Sequence, residues 1–301
     1  MNKKRIAPLQ EIIDSALEAK DLRLFVKRED LIHEHISGNK WRKLYYNLQV
    51  AKEQGFSKIV TFGGAFSNHI VATASAGKEY GFQTIGFIRG EEHSPLNTSL
   101  QYAQDCGMNL YYVDRASYRE KDSLEFREKH LSDLRDYYLI PEGGTNELAV
   151  KGCEEILTEI QEDFDVVCCA CGTGGTISGI INSLKGDQKA LGFPALKGGD
   201  FLKEEIQKYV HNSQWELISD YHFGGYAKVD EYLITFMNEF KKKHQISLDP
   251  VYTAKMMFGL WDLIEKDYFR RGSTIIAVHT GGLQGIAGMN ERIKNKGLQI
   301  I

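Results

Sequence analysis

The segment Asp165-Val-Val-Cys-Cys-Ala-Cys171 runs directly into Gly172-Thr-Gly-Gly-Thr176 and then into an apolar stretch that begins at Ile177. A short apolar run, a glycine-rich turn and a second apolar stretch are typical of a β-strand that leads into an α-helix. Glycines allow the backbone to approach an anion closely, and the N–H groups that begin the helix point toward it. The segment therefore predicts a strand, a phosphate-binding loop and a helix, with a tight packing turn as the plainer interpretation of the glycines.

The spacing of these glycines argues against two familiar nucleotide-binding loops. The turn lacks the Gly-Lys-Ser/Thr ending of a Walker loop, and no acidic residue is convincingly placed to bind a ribose as in a dinucleotide fingerprint. A nicotinamide-dependent oxidoreductase that uses this turn is an alternative, but it gives no role to the motifs around Lys40 and Ser67.

The same strand–turn–helix pattern repeats on both sides of this segment. Further strand candidates cover residues 58–62, 84–88, 109–113, 137–140, 215–218 and 274–278, and helix candidates cover residues 68–80 and 97–106. Strands that alternate with helices predict mostly parallel sheets with crossover helices, the α/β class. Ligands in such folds bind at the carboxyl ends of the strands, where the glycine turns of this chain lie.

The bulk composition limits the partners. The chain has 301 residues, of which 42% are hydrophobic and 26% charged, with a formal net charge of −4. Such a balance predicts no attraction to nucleic acid or to an anionic membrane, and no apolar run approaches the roughly 20 residues that span a bilayer. The basic start Met1–Arg5 is followed by no apolar signal region, because Glu11 and Asp14 interrupt it, so a cytoplasmic location is expected.

The chain has five cysteines, and three of them, Cys168, Cys169 and Cys171, lie in the strand before the glycine turn. This crowding indicates buried reduced thiols rather than a disulfide framework. A metal site is the more specific functional interpretation of these cysteines. It is disfavoured because neighbours on a strand point to opposite faces and no second pair of ligands follows at a zinc-like spacing. We expect no metal.

A lysine opens the predicted helix in Ser37-Gly-Asn-Lys40-Trp-Arg-Lys-Leu44. Taken alone, Lys40 is typical of a surface lysine. A lysine can also form an imine with a carbonyl cofactor if it is uncharged when it attacks. The positive end of a helix, partial burial and the nearby Arg42 and Lys43 all disfavour the ammonium form.

Two further motifs could carry chemistry. In Gly63-Gly-Ala-Phe-Ser67-Asn-His69 a strand gives way to a helix, so Asn68 could be only a helix N-cap, or Ser67 and Asn68 could face a substrate and a cofactor. Tyr252 at a helix start and Tyr226 after a glycine pair are, on local grounds, most often packing residues.

Six short motifs occur together in the order Gly-Asn-Lys40, Ser67-Asn-His69, Pro-Glu-Gly-Gly144, Gly172-Thr-Gly-Gly-Thr176, Asp-Pro-Val-Tyr252 and His-Thr-Gly-Gly282. Through them the chain closely resembles, from about Leu24 to Gly288, the 1-aminocyclopropane-1-carboxylate (ACC) deaminase and D-cysteine desulfhydrase family of pyridoxal 5′-phosphate (PLP) enzymes. Each motif alone is weak, whereas six in this order are specific.

The resemblance implies the tryptophan-synthase-β-like fold, or fold type II, with two open twisted mostly parallel sheets flanked by helices. It also implies a large PLP-binding domain from residues 1–43 and 142–301 and a smaller inserted α/β domain from residues 44–141, with PLP in the cleft between them. A small amino acid is the implied substrate, and a homodimer is the implied assembly.

The resemblance also implies roles for individual residues. Lys40 is the lysine that forms the imine and later the general base at the substrate α-carbon, and Asn68 bonds the phenolic oxygen of the cofactor. The phosphate site comprises Gly172, Thr173, Gly174, Gly175 and Thr176.

The remaining implied roles concern catalysis and the substrate. Ser67 is either a nucleophile or a carboxylate binder and proton carrier, while Tyr252 and Tyr226 lie over the reacting centre. Thr253 falls where the partner of the pyridine nitrogen lies. The substrate-binding set is Ser67, Asn68, His69, Thr280 and Gly281.

Departures from the family pattern bear on the substrate. Ile70-Val-Ala72 stands where relatives usually carry an Arg-Gln pair, and the segment before Gly38 lacks the usual glycines.

ACC deaminases place glutamate where this chain has Thr253, and a hydroxyl favours a protonated pyridine nitrogen much less than a carboxylate does. A weaker electron sink suffices when thiolate departs, so D-cysteine, giving pyruvate, ammonia and sulfide, is favoured over ACC, giving 2-oxobutyrate and ammonia. A binding protein that holds PLP without catalysis is a further alternative.

Overall fold

The computed structural model describes residues 5–92 and 94–301, so the basic start Met1–Lys4 lies outside the described residues. Strands and helices alternate along the chain. The strands are β1 Leu9–Ile12, β2 Arg23–Lys27, β3 Lys58–Gly64, β4 Gln83–Arg89, β5 Asn109–Val113, β6 Tyr137–Ile140, β7 Val166–Cys171, β8 Lys189–Pro194, β9 Trp215–Leu217 and β10 Thr274–Val278. The α-helices are α1 Ser15–Lys20, α2 Asn39–Glu53, α3 Asn68–Tyr80, α4 Thr98–Asp105, α5 Arg115–Arg119, α6 Leu124–Leu131, α7 Glu147–Thr158, α8 Gly175–Asn182, α9 Phe201–Gln207, α10 Glu231–His244, α11 Thr253–Glu265 and α12 Gly285–Ile293.

The strands form two sheets. The six-stranded sheet has the order β1-β2-β10-β7-β8-β9, and the four-stranded sheet has the order β5-β4-β3-β6. Every pairing is parallel except that of β1 with β2. Two mostly parallel sheets flanked by helices confirm the predicted α/β class.

The sheets divide the sequence cleanly. All strands of the four-stranded sheet come from residues 58–140, and those of the six-stranded sheet come from residues 9–27 and 166–278. The domain boundaries at residues 44 and 141 stay a prediction. The first of them falls inside α2, which begins at Asn39.

The core of the larger sheet follows from the alternation of side chains on β7. Cys168 and Ala170 pack into the hydrophobic cluster on one face, while Val167, Cys169 and Cys171 pack into the cluster on the other. Cys169 and Cys171 are free thiols, and burial raises the pKa of Cys171 to about 12. In the described part of the chain no group of three His, Cys, Asp or Glu side chains could hold a metal ion.

Capping residues set the limits of α3, the helix that carries one side of the site. The hydroxyl of Ser67 accepts hydrogen bonds from the N–H groups of His69 at 3.2 Å and Ile70 at 3.4 Å, so the helix begins at Asn68. It ends at Tyr80 because Gly81 adopts a φ of +78°. Within residues 5–92 and 94–301, no helix is both long and apolar enough to cross a membrane.

Candidate active site

A cavity opens at the carboxyl ends of β3, β7 and β10 and at the starts of α2, α3 and α8. It gathers most of the residues that the sequence indicates. The predicted residues in its lining are Lys40, Ser67, Asn68, His69, Gly172, Thr173, Gly174, Thr176, Tyr226, Tyr252, Thr280 and Gly281. Gly175 and Thr253 do not line it.

Lys40 stands in the first turn of α2, where Gly38 lets two backbone segments touch. Gly38 has a φ of +67°, and a Cβ there would lie 1.9 Å from the carbonyl oxygen of Thr280. The N–H of Asn39 donates to that same oxygen at 3.1 Å. Only glycine allows the two backbones to come this close. The contact places the start of α2 directly against the segment that follows β10.

The surroundings of Lys40 favour its neutral amine. Burial, followed by the positive charge of Lys43, lowers the pKa of Lys40 to about 7. At neutral pH a large share of the side chain is therefore an uncharged amine, which is the nucleophilic form.

A cluster of buried ion pairs holds α2 in place through Arg42. Arg42, which is 2% exposed, donates from Nε to Glu29 at 2.9 Å and from Nη1 to Glu159 at 2.7 Å. Lys27 completes the cluster by donating to Glu159 at 2.8 Å. Two cations thus oppose two carboxylates, and α2 is tied to β2 and to the end of α7.

The glycine turn after β7 has the features of an anion cradle. Gly174, at a φ of +81°, precedes α8, and no side chain caps the first N–H groups of that helix. A Cβ at Gly174 would lie 3.1 Å from Ile206, and one at Gly175 would lie 2.8 Å from Thr145. The structural need for these two glycines is therefore close packing around the loop as well as access for a ligand.

Lys43 is a site residue that the sequence motifs did not single out as a ligand contact. It is 2% exposed, and its Nζ donates to the Gly143 carbonyl at 3.0 Å and to Thr145 Oγ1 at 2.9 Å. Thr145 Oγ1 and Thr173 Oγ1 are 2.6 Å apart. A buried cation thus stands beside the glycine loop, where it favours a phosphate.

At the start of α3 the cap is Ser67, and the interpretation of Asn68 as the N-cap is wrong. Ser67 Oγ accepts two backbone hydrogen bonds, so its own proton is available for a ligand in the cavity. The side chain of Asn68 is oriented by Gln284, whose Nε2 donates to Asn68 Oδ1 at 2.7 Å. Gln284 gave no signal in the sequence.

His69 is held in one tautomer. The hydroxyl of Thr61 donates to the Ile140 carbonyl at 2.8 Å, so it can only accept from His69 Nε2, which lies 2.7 Å away. Nδ1 therefore carries a lone pair, and it has no hydrogen-bond partner among the described residues. Burial, and then the charges of Lys40 and Lys43, keep the pKa of His69 well below its ordinary value of 6.5.

Two phenols face each other at the cavity. The rings of Tyr226 and Tyr252 pack edge to face with centroids 6.1 Å apart. Asp249 sets the turn before Tyr252 by accepting from the N–H of Tyr252 at 3.1 Å and of Thr253 at 2.7 Å. Burial raises the pKa of Tyr252 far above its ordinary value, so the phenol keeps its proton.

Thr253 is fully buried beneath this turn. Its Oγ1 accepts from the N–H of Asp249 at 2.7 Å and donates to the carboxylate of Asp249 at 3.1 Å. The hydroxyl thus belongs to a closed local network, and its proposed contact with the cofactor stays a prediction.

The donors around the cavity fit PLP. Lys40 offers an amine of lowered pKa for the carbonyl carbon, and the open N–H groups of α8 with Lys43 offer a positive site for the phosphate. Asn68, oriented by Gln284, offers an amide N–H for a ring oxygen.

Comparison with known proteins agrees with this chemistry. A family model described as pyridoxal-phosphate dependent enzyme matches residues 5–281. A Pyrococcus horikoshii protein that is provisionally named 1-aminocyclopropane-1-carboxylate deaminase is 30% identical over 279 residues, which cover 87% of this chain and 85% of that protein. The mitochondrial bifunctional D-cysteine desulfhydrase/1-aminocyclopropane-1-carboxylate deaminase of Arabidopsis thaliana is 30% identical over 292 residues, which cover 87% of this chain and 73% of that protein.

A solved structure extends the similarity to three dimensions. A crystal structure described as an ACC deaminase homologue matches with a TM-score of 0.81 and 28% identity, covering 98% of this chain and 96% of its own. The chain therefore belongs to the pyridoxal-phosphate-dependent enzymes, within their ACC deaminase and D-cysteine desulfhydrase family, and PLP is its cofactor.

Proposed function

We propose that this enzyme eliminates the β-substituent of a small D-amino acid, with D-cysteine as the expected substrate. One D-cysteine and one water would yield pyruvate, ammonia and hydrogen sulfide. The observation that carries the choice of leaving group is Thr253, a neutral hydroxyl bonded to Asp249, at the position where the resemblance implies a glutamate in ACC deaminases.

Three cavity residues, Lys40, Ser67 and Tyr252, have a physical role in this reaction. Bound PLP supplies an electron sink for the negative charge that develops at the substrate α-carbon. Lys40, whose pKa is lowered to about 7, can take the α-proton as a neutral amine. Ser67, whose hydroxyl proton is available, suits the substrate carboxylate, and Tyr252, which keeps its proton, can donate to the departing sulfur.

The choice between the substrates rests on the strength of the sink. A carboxylate would stabilise a protonated pyridine nitrogen, whereas a hydroxyl does so much less. Thiolate is a good leaving group, so a weaker sink supports its departure, while ring opening of ACC needs a stronger one. ACC deamination is the second candidate, because the Arabidopsis relative carries both activities in its name.

A substrate panel tests the proposal. We expect kcat/KM for D-cysteine and β-chloro-D-alanine to exceed that for ACC by roughly tenfold or more, since thiolate and chloride leave readily. Keto-acid release from D-cysteine, L-cysteine, β-chloro-D-alanine and ACC gives the comparison, with the Lys40→Ala variant as the blank. ACC turnover equal to or faster than that of D-cysteine would refute the argument from Thr253, and turnover of none of the four would favour a non-catalytic PLP-binding protein.

Capture of PLP by the apoenzyme should depend on pH through the ionisation of Lys40. The amine must be neutral to attack, and its pKa is lowered from 10.5 to about 7. The rate should therefore rise with pH and reach half its maximum near 7. Stopped-flow measurement of the growing visible absorbance between about pH 5.5 and 9 covers this range. A half-maximal rate above about pH 9 would contradict a lowered pKa.

Two implications of the family resemblance stay proposals. We propose that two copies of the chain associate as a homodimer, which analytical ultracentrifugation at micromolar concentration measures directly. We also propose that residues 44–141 form the inserted smaller domain, and native-state hydrogen exchange in which these residues open as one unit, separately from the rest of the chain, would support these boundaries.

A further inference from the structure

The segment that carries Tyr226 has an unusual backbone. Phe223, Gly224 and Gly225 adopt φ values of +52°, +85° and +118° in succession, and Ala227 adopts +53°. Residues other than glycine are disfavoured in this left-handed region. Phe223 and Ala227 therefore keep these conformations only if their surroundings hold them.

Lys255 provides such a restraint from inside the protein. It lies on α11, three residues after Tyr252, and is 2% exposed. Its Nζ donates to the carbonyls of Gly225 at 2.7 Å, His222 at 2.9 Å and Ala195 at 3.3 Å. All three ammonium protons are thus used, and two of them go to the strained segment.

The partners of this ammonium are backbone carbonyls rather than carboxylates. A buried cation is costly unless it is well bonded, and an apolar side chain of similar length could fill the same space. Burial accordingly lowers the pKa of Lys255 to about 8. Packing alone therefore does not account for a lysine at this position.

The segment has three other kinds of contact: a bond within itself, an exposed bond from Arg292, and a ring contact with α11. The N–H of Gly224 donates to His222 Nδ1 at 2.9 Å, and Arg292 donates to the Ala227 carbonyl at 2.9 Å in an exposed bond. Phe223 packs edge to face on Phe258, with ring centroids 4.9 Å apart. Phe258 and Lys255 both lie on α11, and it is Lys255 that donates hydrogen bonds from this helix to the backbone of the segment.

We propose that Lys255 is a positioning residue: its ammonium holds the carbonyls of His222 and Gly225 and thereby fixes the phenol of Tyr226 beside Tyr252 at the cavity. One helix, α11, then sets the position of both phenols. This inference rests on the proposed function only in assuming that Tyr226 contributes to turnover.

The first test measures the segment itself and needs no substrate. In the holoenzyme, Lys255→Met keeps the length of the side chain and removes the charge and the donors. We expect chymotrypsin to cut after Phe223 or Tyr226 at least tenfold faster than in the wild type, at unchanged midpoint of urea unfolding. Lys228→Met, an exposed lysine in the same region, is the matched control and should cleave at the wild-type rate. Equal cleavage of Lys255→Met and wild type would overturn the proposal.

The second test is a double-mutant cycle on whichever panel substrate is turned over best. Lys255→Met and Tyr226→Phe should each lower kcat at least tenfold, and the double variant should be no slower than the slower single variant, because both remove the same function. Lys228→Met should keep wild-type kcat and KM. Losses in kcat that multiply in the double variant would show that Lys255 does not act through Tyr226 and would overturn the proposal.

If Lys255→Met does not fold, Lys255→Gln replaces it, because its amide can still donate to two carbonyls. Cleavage and kcat between those of wild type and the expected Lys255→Met values would support the proposal, whereas wild-type values in both would overturn it. If no amino acid of the panel is turned over, the proposed function fails, while the cleavage comparison still decides whether Lys255 holds the segment.

Discussion

Replacing Lys40 with alanine should remove the visible absorbance of the bound cofactor, roughly in the 410–420 nm region usual for PLP enzymes, and should lower kcat by at least about a thousandfold. The amine of lowered pKa both bonds the cofactor and takes the α-proton in the proposed reaction, so both functions are lost together. Absorbance spectra and keto-acid release measure the two effects. Lys52→Ala, exposed on the same helix, is the control and should match the wild type.

The fold should survive this substitution, since the Lys40 side chain lines a cavity rather than a packed core. A visible band that persists in Lys40→Ala and that borohydride still fixes to the protein would show that another lysine carries the cofactor. Lys43 would then be the first candidate, because it lines the same cavity.

Arg42→Met should have the largest effect on stability. The substitution leaves Glu29 and Glu159 buried with only Lys27 to balance them, and breaking a buried ion pair typically costs about 3–5 kcal/mol. Urea unfolding followed by far-UV circular dichroism measures the loss.

The matched control for this cluster is Arg23→Met. Arg23 pairs with Glu11 at 2.9 Å, but both side chains reach solvent, so its loss should cost less than about 1 kcal/mol. Equal losses for the two variants would contradict the view that the buried cluster holds α2 in place.

Periodicity and glycine turns were sufficient to predict most of the strands. The observed β5, β6 and β10 have the predicted bounds, and α3 covers the predicted residues 68–80. Three observed strands, β1, β2 and β8, were not predicted, because their sequences lack a clear strand pattern. β8 contains Gly192 and ends at Pro194, two residue types that strands usually avoid, yet a Cβ at Gly192 would lie 2.6 Å from both Ile177 and Leu217. β1 is a short antiparallel edge strand with polar residues, and the similarly short β2 was also missed.

The cavity residues that the sequence missed are those whose partners are distant in the chain. Lys43 bonds Thr145 across 102 residues, and Gln284 orients Asn68 across 216. Local patterns carry no record of such contacts, because they depend on how the two sheets are brought together. The six motifs located the cavity, while the groups that orient their side chains required the structure.

Four buried thiols, three on β7 and one on α7, should be unreactive in the folded chain. Cys153, Cys168, Cys169 and Cys171 are at most 2% exposed, and burial raises the pKa of Cys153 to about 11. Alkylating reagents attack thiolates, so iodoacetamide at neutral pH should label a native molecule only at the partly exposed Cys106. Five labels should appear only when the molecule unfolds completely. The number of labels per chain, read by mass spectrometry, therefore reports the native fraction of any variant without reference to its cofactor or activity.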